Sequence, residues 1–138
     1  MKTVKEVEDE FFKNKMEYME LFEEGDSEGA LKLLKEVWSS FPEPKIKEDL
    51  FYLVVEDFIT ICTESKKFEI ANKYISLLFA SGLKRADYGT KEFIAGKLAY
   101  EQGEFELAKQ LFYVSNMKCD GELFKGKENK KYKDLLIK

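Results

Sequence analysis

Glu101, Glu104 and Glu106 crowd around one turn, and Glu8, Asp9 and Glu10 stand together near the start of the chain. A pair of carboxylates held in a cleft can divide general-acid and general-base roles, or share a hard cation. The same residues have a plainer use. Glu104 and Glu106 fall where a helix should begin, and a carboxylate at a helix N-terminus stabilises it by about 0.3–1 kcal/mol. That structural role is the expected one. The chain contains no histidine, which removes histidine general bases, Ser-His and Cys-His nucleophiles, and the usual zinc ligand sets. Cys62 and Cys119 lie far apart; two free thiols are expected in a reducing cytosol, a lone disulfide being the alternative. The segment GKENKK lacks the spacing of a phosphate-binding loop, and no strand precedes it. KENKKYKDLLIK interleaves Lys and Tyr in a way that could suit RNA, but it reads better as a solvated closing helix. No catalytic residue, metal site or cofactor is therefore expected, and the chain is read as a non-enzyme.

At 138 residues the chain has the length of one domain. No run of about 18 apolar residues is present, so no membrane span is expected. The lysines of MKTVKEVEDEFF have no apolar stretch behind them, which argues against a secretory signal and for the cytoplasm. The net charge of −4 disfavours general nucleic-acid binding. The charge is uneven: residues 1–29 hold ten Asp/Glu against four Lys, and residues 118–138 hold seven Lys against four Asp/Glu. Such polarity could give the two ends different partners.

The elements that must position these residues are helices. Val4, Val7, Phe11, Tyr18, Leu21 and Phe22 recur at helical spacing, and Gly25-Asp26-Ser27 interrupts them with a glycine stop and a capping start. Ala30, Leu31, Leu34, Val37, Trp38 and Phe41 carry a second helix, which Pro42 and Pro44 end. A third helix is expected from Lys47 to about Glu64. Its LVV segment is β-branched enough to suggest a strand, but the apolar period over the whole stretch is helical. Ser65-Lys66-Lys67 turns the chain, Phe68 to Phe79 resumes a helix, and Gly82 offers a C-cap. After LKRADYG, Asp87 or Thr90 should cap a fifth helix running to about Gln102. Gly103 turns it into a sixth, from Phe105 to Met117. CDGELFKGKENK reads as loop, and KKYKDLLI as a short closing helix with Tyr132, Leu135 and Leu136 on one face.

Each helical hairpin needs a small residue where its helices cross, because backbones about 8 Å apart leave no room for a long side chain. Ala30, Ala71 and Ala108 hold that place, at spacings of 41 and 37 residues. Over most of residues 10–118 the chain resembles the tetratricopeptide-repeat family. The third unit is the close match, with Gly96, Gly103, Phe105, Ala108 and Phe112. The first unit has Ser27 where an aromatic is usual, and the second has Lys66 in place of the turn glycine. The resemblance implies an all-α, single-domain short solenoid of about seven helices, with hairpins over roughly 3–41, 47–81 and 88–117 and a capping helix over roughly 128–137. It also implies a groove lined by the first helix of each hairpin. By the family register Lys15, Met19, Glu23, Glu56, Thr60, Lys97 and Glu101 would face that groove, with Tyr52 or Tyr100 as an aromatic anchor. Their mixed charge suits a protein partner rather than a lipid or an apolar ligand.

The tail, with Gly121, Phe124, Gly126, Lys131, Tyr132 and Leu135, is similar to the C-terminus of small helical-repeat immunity proteins of bacterial polymorphic-toxin systems of the contact-dependent inhibition type. Those proteins carry an acidic residue and a proline before Lys-Tyr, where this chain has Asn129-Lys130. The similarity implies binding and neutralisation of one cognate toxin domain. A general adaptor or co-chaperone scaffold that binds a peptide in its groove is the alternative expectation. Oligomeric state is open.

Overall fold

A computed structural model describes residues 2–83 and 87–137. Among the described residues there are seven α-helices and no strand: α1 (Val4–Glu23), α2 (Ser27–Ser40), α3 (Phe51–Glu64), α4 (Phe68–Ala80), α5 (Thr90–Glu101), α6 (Phe105–Cys119) and α7 (Lys130–Ile137). The chain is all-α. Consecutive helices pair as three antiparallel hairpins, α1–α2, α3–α4 and α5–α6. Neighbouring hairpins pack on one another, and α7 packs on the third. The β-branched segment of α3 is helical because α3 lies between two hairpins and buries several sides at once. Phe51, Val54, Val55, Phe58, Ile59, Ile61 and Cys62 are all buried.

The three hairpin turns are built alike. Gly25, Lys66 and Gly103 each take a left-handed conformation, with φ of +91°, +61° and +81°. In each turn the left-handed residue donates its N–H to a carbonyl three residues back (Phe22, 3.0 Å; Thr63, 3.2 Å; Tyr100, 2.9 Å). The next residue donates to a carbonyl five back (Leu21, 2.8 Å; Cys62, 2.8 Å; Ala99, 2.9 Å). This paired closure satisfies the carbonyls that a helix end leaves open. Five residues beyond each turn residue stands the small crossing residue, Ala30, Ala71 or Ala108, and all three are fully buried. Lys66 thus does the backbone work of the glycines that flank it in the repeat.

Several expectations shift. The third helix begins at Phe51 rather than Lys47, because Lys45–Lys47 form a separate 3-10 turn after the prolines. Neither Asp87 nor Thr90 caps α5. Gly89, at φ +90°, occupies the cap position, Thr90 is already helical, and the Gly89 carbonyl accepts a hydrogen bond from the buried Ser115 hydroxyl at 2.9 Å. Part of that connection, residues 84–86, lies outside the described residues. The segment 119–130, expected as loop, carries the last residue of α6, two 3-10 turns, Glu122–Phe124 and Lys127–Asn129, and the first residue of α7. These turns seat Phe124 in the core, 4.9 Å from Phe93 and 5.5 Å from Phe112 between ring centroids. Both cysteines are free and buried.

Candidate functional site

The first helices of the hairpins, α1, α3 and α5, carry all of the residues assigned to recognition. Counting back from each turn residue places Met19, Thr60 and Lys97 in equivalent positions, six residues before it. Two residues before it stand Glu23, Glu64 and Glu101, the last residue of α1, α3 and α5. A carboxylate at a helix C-terminus opposes the helix dipole by about 0.3–1 kcal/mol. The same locally unfavourable residue therefore recurs three times in one place. Glu64 was missed in the sequence, although registering the chain on Gly25, Lys66 and Gly103 exposes it.

Thr60, Lys97 and Glu101 are brought together around a cleft of about 420 Å³ between the end of α3, α5 and the start of α7. Lys97 and Glu101 line the cleft itself, with Glu64, Glu128 and Lys131, while Thr60 lines a small hollow shared with Glu64 and Lys97. The Lys97 ammonium rests 4.7 Å from the centroid of the Phe93 ring. Burial pulls its pKa below the usual lysine value, and the charges of Glu64 and Glu128 partly restore it. Glu101 is engaged within the chain: it accepts from the Lys131 ammonium at 2.9 Å and from the Tyr132 hydroxyl at 3.4 Å. Burial first, and Glu101 second, raise the Tyr132 phenol above its ordinary pKa.

The remaining assigned residues sit elsewhere. Lys15 is ion-paired with Asp57 of α3, and the buried Tyr18 hydroxyl donates to the same carboxylate at 2.5 Å. Burial, followed by Asp57, raises the Tyr18 phenol. Lys15 is thus part of the tie between the first two hairpins. Asp57 itself is not legible in the sequence, since its value depends on two partners 39 and 42 residues away. Tyr52 does not join Thr60; it lines a separate hollow with Ala80 and Gly82, against whose backbone its ring packs. Tyr100 lies edge-on to Phe105 and Tyr132, each 5.1 Å away between centroids, so its ring supports α7. Glu56 and Met19 are half-buried and Glu23 is exposed.

Among the described residues no group of three or more His, Cys, Asp or Glu is arranged to hold a metal ion, and no helix is long and apolar enough to cross a membrane. The site offers charged and polar side chains, among them Glu64, Lys97, Glu101, Glu128 and Lys131, around a cleft beside α3 and α5. No protein-family model matches the chain, and comparisons with curated proteins and with solved structures found no significant match.

Proposed function

We propose that this chain is a non-catalytic protein-binding protein. Its most concrete reading is an immunity protein that binds and neutralises a cognate bacterial toxin domain in the cytoplasm. In this reading the hairpins form a short tetratricopeptide-like solenoid whose α1/α3/α5 face receives the partner. The observation that carries the proposal is the recurrence of Glu23, Glu64 and Glu101 at the ends of those three helices. A cost to helix stability repeated three times is accounted for when the carboxylates meet a basic surface. Such a row also steers association with a basic domain, raising the on-rate well above that of a neutral surface.

Glu101 contributes less directly than its repeats, because its carboxylate is already bonded to Lys131 and Tyr132. The adaptor reading draws support from the cleft of about 420 Å³ beside Lys97, large enough for a side chain of a bound peptide. The two readings separate by experiment. Co-expression with the domain encoded by the adjacent gene should rescue growth, with low-nanomolar binding of the folded domain. Micromolar binding to short peptides, without rescue, would select the adaptor. No interaction with any protein or peptide would refute both.

A further inference from the structure

The outer side of α1 carries an apolar row that the described chain covers only in part. Phe12 is 44% exposed and Met16 67%. They lie one helical turn apart, and half-buried Met19 continues the row toward the α3 side. Phe12 packs one edge on Phe11 and leaves the rest of its ring beside the exposed Met16, and such side chains recur at adaptable protein-binding surfaces. The buried side of the same helix, with Phe11 and Tyr18, already supplies its contact with the core.

What surrounds the row defines its partner. Glu8 and Asp9 lie four and three residues before Phe12, Glu20 lies four after Met16, and Glu23 lies four after Met19. All four are exposed, and none forms an ion pair with another described residue. Lys5 and Lys13 border the patch without reversing its sign, while Lys15 is held by Asp57. A comparable apolar row on α6, with Leu107, Tyr113, Val114 and Met117, has no such frame, so nothing there specifies an occupant.

We infer that the Phe12–Met16–Met19 row of α1 is a docking surface for a partner protein whose contact segment presents an apolar anchor flanked by lysine or arginine. The inference rests on the protein-binding reading above and adds the chemistry of the partner. The apolar row supplies desolvated contact area, and the acidic frame excludes neutral and acidic competitors.

The probe is a short fluorescent helical peptide with a leucine stripe bordered by lysines. Its controls keep the leucines but border them with glutamates, or keep the lysines and replace leucine with serine. Anisotropy titrations should favour the Lys/Leu peptide about tenfold over each control. Phe12→Ser/Met16→Ser should abolish the preference over the serine peptide, and Glu8→Lys/Glu20→Lys the preference over the glutamate peptide. Circular dichroism of each variant should stay that of the wild type. Equal binding of the peptides, preferences unchanged in the variants, or no binding would overturn the inference. So would self-association on sedimentation that the same variants remove, since the occupant would then be the lysine-rich tail of a second copy. If the adjacent-gene domain binds the wild type and Phe12→Ser/Met16→Ser equally, the α1 inference fails and the protein-binding reading stands. If that domain does not bind the wild type, the immunity reading fails, and the peptide titrations still decide for α1.

Discussion

Lys66 holds φ at +61°, where Gly25 and Gly103 hold the same place in the other hairpins. A non-glycine side chain in this region clashes with its own backbone at a cost of about 1–2 kcal/mol, part of which glycine returns as entropy of the unfolded chain. Lys66→Gly should therefore stabilise the protein by about 0.5–1 kcal/mol and raise Tm by about 3 °C in a thermal melt. A fall in Tm would mean that the Lys66 side chain holds the turn by contacts outweighing the backbone cost. Gly96 shows the opposite constraint. A Cβ built there would stand 2.5 Å from the Phe112 ring, itself fully buried. The equivalent positions pair Tyr18 with Leu34 and Ile59 with Ile75, so each hairpin divides its crossing volume differently. Gly96→Ala should cost about 1–3 kcal/mol, read as a lower urea midpoint with an unchanged m-value.

At the scale of the element, α7 is held as much by its chemistry as by its length. An eight-residue helix is marginal alone. Tyr132 anchors it by packing 5.3 Å from Phe112 and 5.1 Å from Tyr100, between centroids, with its hydroxyl on Glu101. This has a consequence at high pH. Burial raises the phenols of Tyr18 and Tyr132 above the ordinary 10.0, and pushes the Cys62 thiol from 9.0 up to about 11. The unfolded chain releases these protons first, so it binds fewer protons than the folded chain and stability falls as pH rises. Tm should hold steady below about pH 9, then drop as pH passes through 9 to 11 and beyond, the later part of the drop being smaller in Tyr132→Phe. A Tm independent of pH across that window would contradict the burial of these groups. The same elements mark how far the sequence could be read. Helical periods and turn residues disclosed α1 to α7 because each is a local signal. The segment 119–130 escaped because two 3-10 turns carry no apolar period, and Phe124 is drawn inward by distant rings such as Phe93 and Phe112.

Across the whole molecule, an acidic first hairpin and a lysine-rich end leave a charge gradient along the chain. The sequence disclosed that gradient and the register of Thr60, Lys97 and Glu101. It did not disclose which residues the packing had already engaged, since Lys15–Asp57 and Glu101–Lys131 join segments 42 and 30 residues apart. Those engagements decide which charges are available to a partner. Reversing Glu101 would disturb α7 as well as any interface, whereas Glu23 and Glu64 are exposed. The direct measurement is a calorimetric titration of the adjacent-gene domain into the wild type and into Glu23→Lys/Glu64→Lys, with matched melting curves. Low-nanomolar binding by the wild type and binding weakened at least about tenfold in the variant are expected from a partner seated on the α1/α3/α5 face. Equal affinity for the two proteins would contradict that placement.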